Sequence, residues 1–171
     1  MAGAPVPDLS SNLEDYLETI YHLEKESRVA RAKDIAERLG VSRASVTGAL
    51  KTLGDKGLIN YEPYSYMTLT KQGQGIASEI DRRHHVLKGF FQDFLQLDPE
   101  VSDANACRVE HAMDTEAVNR LVDFLDFLEE CPRTGPEWLE SFDNYCRDRK
   151  SPERCRSCME RCLERAAKLD S

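Results

Sequence analysis

The stretch from Ala32 to Thr70 constrains the fold more than any other part of the chain, because two short helical patterns meet at a glycine and lead into two alternating segments. The first pattern runs from Ala32 to Leu39 and stops at Gly40, a residue that enters the left-handed region without a Cβ penalty. The second takes Ser42 as its N-cap and runs through Leu53, where Gly54 is expected to end it. Leu58-Ile59-Asn60-Tyr61-Glu62-Pro63 and Tyr66-Met67-Thr68-Leu69-Thr70 then alternate as two short strands around Tyr64-Ser65. Helix, glycine turn, helix and hairpin in this order make a winged helix-turn-helix, with the hairpin as its wing.

The flanking sequence adds more helices. Residues 1–9 hold Pro, Gly and small residues and read as an N-terminal arm. From about Ser10 to Glu26, Leu13, Leu17, Ile20, Tyr21 and Glu24 follow a helical period, while Asp15, Glu18 and His22 share a different face. Thr70 caps a long helix in which Ile76, Ile80, Leu87 and Phe91 form an apolar stripe that also contains His84. A short helix is expected over residues 103–112. Another starts at Asp114-Thr115-Glu116 and buries Val118, Leu121, Val122, Leu125 and Leu128. Ser151-Pro152-Glu153 launches a last helix, with Ser as N-cap and Pro at its first position. The expected organisation is an arm at 1–9, a winged-helix domain at 10–71, a helical domain at 72–142 and a Cys-rich helical tail at 143–171.

Charge is divided unevenly. The chain carries a net charge of −8, which opposes binding to phosphates. Residues 27–60, however, hold seven Lys/Arg against three Asp/Glu, a net +4, and residues 92–145 hold fourteen Asp/Glu against three Arg, a net −11. The helix-turn-helix is thus basic and the acidity lies elsewhere. No apolar run approaches the roughly 20 residues of a membrane helix, and no basic-then-apolar signal opens the chain, so a cytoplasmic protein without a membrane partner is expected.

Two sets of residues carry chemistry. On the third helix Ser42, Arg43, Ser45, Thr47, Gly48 and Lys51 face outward. Short polar residues at its start let the backbone approach a major groove, and Arg43 and Lys51 can reach bases or phosphates. Tyr64, Ser65 and Tyr66 at the wing tip suit sugar and phosphate. The second set is a group of metal-ligand types. Cys107, Glu110 and His111, at i, i+3 and i+4, turn a thiol, a carboxylate and an imidazole toward one side of a helix, Asp15 and Glu18 stand at i and i+3, and His84 lies between. Three carboxylates and two imidazoles suit Mn(II) or Fe(II), and the thiolate tilts the set toward Fe(II), Co(II) or Zn(II). His22 and His85 read as surface or packing residues.

From about Asn12 to Pro136 the chain resembles the diphtheria toxin repressor and manganese transport regulator family of metal-activated repressors. Leu13-Glu14-Asp15-Tyr16-Leu17-Glu18-Thr19-Ile20-Tyr21 resembles the family's first helix, Asp34-Ile35-Ala36-Glu37-Arg38-Leu39 and Ser45-Val46-Thr47 its helix-turn-helix, and Cys107-x-x-Glu110-His111 its metal helix. The resemblance implies that Asp15, Glu18 and His84 correspond to ligands of the manganese branch, and Glu110 and His111 to ligands of both branches. Cys107 corresponds to a ligand of the iron branch. Lys88 and Asp103 stand where an ancillary site of the iron branch has a carboxylate and a histidine, which argues against that site here.

The expected fold is mainly α, with a winged-helix domain followed by a helical metal-binding and dimerisation domain. The expected function is metal-dependent repression of metal-uptake genes. Fe(II) or Mn(II) would join the first helix to the helices bearing His84 and Cys107, and a homodimer would read a palindromic site on double-stranded DNA, with Phe90, Phe91, Phe94 and Leu95 at the dimer contact. A di-metal carboxylate enzyme is the rival from another class, but no nucleophile–base pair or phosphate loop is visible, and no catalytic residue is assigned. A metal-independent winged-helix regulator is the other alternative. Beyond the resemblance, Cys146, Cys155, Cys158 and Cys162 supply four thiolates for Zn(II) or an iron–sulfur cluster, or pack as small hydrophobes on one helix face. Cys131, before Pro132, reads as structural.

Overall fold

Each element of this computed structural model follows from a local pattern in the chain, which the structure describes over residues 9–27, 29–62 and 65–130, together with 139, 142 and 160. Helix α1, Ser11–Ser27, buries Tyr16, Leu17, Thr19, Ile20 and Leu23, a stripe at helical spacing. Helix α2, Ala32–Leu39, closes at Gly40, whose φ of +65° lets its N–H turn back to the carbonyls of Ala36 and Glu37. Helix α3, Arg43–Asp55, is capped by the Ser42 hydroxyl, which accepts the Ser45 N–H at 3.1 Å. It runs past Gly54, where the sequence places its end. The reversal comes at Gly57, with a φ of +70°, and the Leu58 N–H bonds back to Leu53 at 3.0 Å.

The wing is shorter than its alternation implies. Strands β1, Ile59–Asn60, and β2, Thr68–Leu69, pair antiparallel, with Ile59 opposite Leu69 and Asn60 opposite Thr68. Met67 exchanges both of its backbone bonds with Ala30, at 3.2 and 3.0 Å, and the Ser65 N–H turns back to Glu62. The backbone groups that would lengthen the hairpin are therefore used elsewhere. Leu17, Ile20, Ile35, Val46, Leu50, Leu53, Leu58, Met67 and Ile80 are essentially fully buried in the core that these elements share with the helix that follows.

Helix α4, Lys71–Gly89, starts at Thr70, whose hydroxyl accepts the Gly73 N–H at 3.1 Å. A π-helical turn, Phe90–Phe94, continues it. Helix α5, Pro99–Val109, begins four residues before the expected start at residue 103, because Asp98 caps it: its side chain accepts from the Glu100 N–H and its carbonyl from the Ser102 N–H. Asp98-Pro99-Glu100 has the same cap, proline and acid order as Ser151-Pro152-Glu153. Helix α6, Thr115–Glu130, buries Val118 and Leu128. Leu121, Val122 and Leu125, expected in the core, are only half-buried, and Phe124 and Phe127 stand 49% and 56% exposed on the same helix. Among the described residues, much of the apolar surface of α6 has no cover.

The described residues divide into two compact units. One extends to His85 and takes in Ala106–Ala112, and the other comprises Val86–Asn105 and continues from Met113. A boundary drawn at residue 71 from the end of the hairpin falls inside the first unit, which also holds the turn bearing Glu110 and His111. Among the described residues no helix is long and apolar enough to cross a membrane.

Candidate metal centre and nucleic-acid interface

All six ligand-type residues read from the sequence lie in the first unit, and they separate into two adjacent triads. Asp15, Cys107 and His111 offer ligand atoms within 4.8 Å of one another, and so do Glu18, His84 and Glu110. Cys107 and Glu110 thus serve different triads, although the i, i+3 spacing predicts one common side. The division follows from burial: Cys107 is exposed, whereas Glu110, beyond the last residue of α5, is 1% exposed. α1 places Asp15 and Glu18, one turn apart, toward the two triads.

The donors are already oriented. His111 Nδ1 lies 2.6 Å from Glu14 Oε2, which turns Nε2 toward Asp15 Oδ1 at 2.9 Å and Glu110 Oε1 at 3.3 Å. An imidazole anchored through one nitrogen on a carboxylate, with the other aimed at further ligand atoms, is the usual setting of a metal-bound histidine. His84 Nδ1 lies 2.7 Å from Glu110 Oε2, and the Arg83 guanidinium donates to the Glu110 carbonyl at 3.1 Å. Glu110 Oε1 and His111 Nε2 are buried and make no aligned hydrogen bond: their mutual approach, and the 2.9 Å approach of His111 Nε2 to the half-exposed Asp15, are charge contacts. Buried polar atoms left in this state cost about 1–3 kcal/mol each unless another partner meets them. The residues present fit a divalent cation.

Electrostatics agrees with that fit. Burial raises the Asp15 carboxyl above its usual range against the opposing pull of His111, with Glu110 and Glu14 adding repulsion. Burial likewise raises Glu18, and the nearby Glu110 charge adds to it. His111 is raised chiefly by its bond to Glu14. Carboxylates crowded out of water hold protons that a cation could replace.

Three contributors escaped the sequence reading. Glu14 orients His111. Asp81 and His22 form a further triad with Glu18, where the sequence reading leaves His22 a surface or packing residue. The i, i+4 step from Glu18 to His22 and the i, i+3 step from Asp81 to His84 were the available signals. His85, 69% exposed with Nδ1 2.7 Å from the Asp81 carbonyl, is the surface residue expected of it. In the second unit, Lys88 Nζ and Asp103 Oδ1 form an ion pair at 2.6 Å, so these two positions satisfy each other. Cys131, Cys146, Cys155, Cys158 and Cys162 lie outside the described residues.

The nucleic-acid face forms on α3. Ser42, Arg43, Ser45, Thr47, Gly48 and Lys51 are all exposed, while Val46, Leu50 and Leu53 point into the core. A Cβ on Gly48 would meet no atom within 4 Å, so the helix surface there is open to a close partner. On the wing Ser65 and Tyr66 are exposed, and Tyr64 lies outside the described residues. Arg31, which the sequence reading counts only in the basic patch, stacks its guanidinium 5.0 Å from the Tyr66 ring centre and donates to the Tyr66 hydroxyl at 3.3 Å. This fixes a positive charge beside the wing.

A winged helix-turn-helix with an open recognition helix, joined to a carboxylate–imidazole–thiol cluster around the buried Glu110, defines the class of metal-responsive DNA-binding regulators. Residues 8–67 match the family model described as iron dependent repressor, N-terminal DNA binding domain, and residues 70–139 match iron dependent repressor, metal binding and dimerisation domain. An HTH-type transcriptional regulator of Methanocaldococcus jannaschii is 38% identical over 119 residues, covering 69% of this chain and 95% of the relative. The diphtheria toxin repressor of Corynebacterium glutamicum is 34% identical over 129 residues, 75% of this chain and 57% of the relative. Among solved structures, the manganese regulator SloR superposes with a TM-score of 0.62 at 31% identity, covering 73% of this chain and 58% of that one. The chain belongs to the iron-dependent repressor family, which includes the diphtheria toxin repressor and the manganese regulators. It spans less than three fifths of the diphtheria toxin repressor and of SloR.

Proposed function

We propose that this protein is a cytoplasmic, dimeric repressor of metal-uptake genes whose binding to palindromic double-stranded DNA is switched on by Fe(II) or Mn(II). The observation that carries the reading is the state of Glu110 and His111: a buried carboxylate oxygen and a buried imidazole nitrogen, on side chains held by His84 and Glu14, approach each other at 3.3 Å without a hydrogen bond.

In this reading Asp15, Glu18, His84, Cys107, Glu110 and His111 are the ligands. When bound, the ion supplies the positive charge that three crowded carboxylates lack. Asp15 and Glu18 hold α1 to α4 and to the Ala106–Ala112 segment, and α1 packs directly on α2 and α3. Ser42, Arg43, Ser45, Thr47, Gly48 and Lys51 then meet the major groove, with Tyr64, Ser65, Tyr66 and Arg31 on the flanking backbone. The exposed thiol favours Fe(II) over Mn(II) at the Asp15–Cys107–His111 triad, since softer ligands and the divalent-metal affinity order both point that way. Cys146, Cys155, Cys158 and Cys162 hold a separate Zn(II) or iron–sulfur cluster in this proposal, and a chain ending at Ser141 should lose that metal yet keep its response.

The test is anaerobic fluorescence anisotropy on duplexes selected from a random pool by the Mn(II)-loaded protein. Fe(II) or Mn(II) should tighten wild-type binding, and Glu110→Gln and His111→Ala should remove that stimulation. Glutamine is preferred to alanine because Glu110 is among the largest fully buried side chains, so its truncation would open a cavity. Equal affinity in chelator and in metal would make the protein a metal-blind regulator.

A further inference from the structure

We propose that Glu18, His22 and Asp81 form a further site for a first-row divalent cation, adjoining the two triads above through Glu18. Their ligand atoms lie within 4.8 Å of one another. His22 Nε2 stands 3.6 Å from Glu18 Oε1 and 3.4 Å from Asp81 Oδ1. These separations exceed a good N–H···O bond of about 2.7–3.2 Å. They match the spacing of about 3.0–3.6 Å between neighbouring ligands that each lie about 2.1 Å from one ion, at angles of about 90–120°.

Asp81 supplies a second, independent observation. Its Oδ1 is buried and makes no hydrogen bond, although two imidazoles approach it: His22 Nε2 and His85 Nδ1, each at 3.4 Å. His85 Nδ1 is engaged with the Asp81 carbonyl at 2.7 Å, which leaves His22 as the imidazole available to share an ion with that oxygen. The other carboxylate oxygen, Oδ2, faces Lys25 Nζ at 3.4 Å. Lys25 itself lies over the Tyr21 ring, 4.0 Å from its centre, on a half-exposed side chain. An ammonium thus stands where a cation is attracted. Being flexible and solvated, it can swing into solvent when a doubly charged ion takes its place.

The donor set differs from the Asp15–Cys107–His111 triad in having no thiolate. Two carboxylates and one imidazole suit Mn(II), Fe(II) and Zn(II), and His22 is 32% exposed, so water can complete the coordination. Such an ion pins the middle of α1, through Glu18 and His22, to α4 through Asp81. The proposal rests on Glu18 facing metal and not on any effect on DNA.

Mn(II) alone, titrated into the full-length protein and followed by the electron paramagnetic resonance signal of the free ion, tests it without DNA. The double variant His22→Ala, Asp81→Asn should lose one bound ion per chain relative to wild type. Lys25→Met should tighten the weakest class of ions severalfold by removing the competing charge. Glu110→Gln should lose a different ion and keep this one, so a variant set in which only Glu110→Gln matters overturns this site and spares the regulatory reading. The converse result spares this site. An unchanged ion count and unchanged affinities in the double variant overturn the proposal. If that variant does not fold, an unaltered weakest class in Lys25→Met overturns it instead.

Discussion

Asp15, Glu18 and His111 bind protons more tightly in the fold than in the unfolded chain, whose ordinary values are 3.8, 4.5 and 6.5. The sign is the same for all three: the folded state holds the extra protons, so stability falls as pH rises through the raised values. For His111, the contribution from Glu14 is complete below about 6.5 and lost above it. The melting temperature of the chelated protein should therefore fall as pH rises above about 6.5, while the Mn(II)-loaded protein should show a flatter profile, because the ion replaces those protons. Thermal scans over that rise check it, and a chelated protein that grows more stable toward pH 8 would contradict the assignment. Gly48 gives a second prediction. Gly48→Ala should stabilise α3 by about 0.5–1 kcal/mol, as Ala for Gly does within an exposed helix. The same methyl group should weaken DNA binding by standing on the open face of the recognition helix. Unchanged DNA affinity would mean that the backbone at Gly48 does not approach the duplex.

At the scale of elements, the join between the wing and α4 depends on close approach. The Leu58 carbonyl accepts from both the Thr70 N–H and the Thr70 hydroxyl, and a Cβ added at Gly73 would fall 1.9 Å from that same oxygen. Backbone cannot yield as a side-chain tip does, so Gly73→Ala should cost about 2–3 kcal/mol, read from urea denaturation. A loss under about 0.5 kcal/mol, the range of an ordinary surface substitution, would show that α4 can shift away from the wing. On α3 the charges act without the fold: Arg43→Ala and Lys51→Ala should leave Mn(II) affinity intact, and each should reduce the slope of log affinity against log salt by about one per lost phosphate contact. Anisotropy over a salt series measures this, and a wild-type slope in both variants would move the DNA to another face.

At the scale of the molecule, the net charge of −8 describes neither face, since a basic winged helix and an acidic remainder are averaged in it. The second unit also leaves apolar surface uncovered at Phe124 and Phe127, with the Phe90 and Phe91 rings 5.6 Å apart and only partly buried. A second copy of the chain is the natural cover for a family with a dimerisation domain. Phe124→Ser with Phe127→Ser should shift sedimentation toward the monomer. On the proposed reading of one half-site per chain, DNA affinity should fall steeply, while ion binding per chain should persist. A stable dimer in that variant would place the contact elsewhere.

Much of this protein was legible along the chain because its information is local. Gly40, Ser42 and Thr70 end or start helices through bonds to residues within four positions, and the outward side of α3 follows from its own period. Asp98-Pro99-Glu100 was equally legible, and the early start of α5 follows from it. The six ligand types could be named because their residue chemistry is explicit. Their grouping could not be named, because it depends on which side chains meet across long separations: Glu14 with His111, Glu18 and His22 with Asp81, and Glu110 with His84. Gly57, and not Gly54, takes the positive φ because Leu58 must return to Leu53. The strands stay short because Met67 pairs with Ala30. Periodicity fixes which face of an element is apolar, but burial, and with it the unmet oxygen of Glu110 and the raised carboxyls, exists only once separate elements exclude water from the same place.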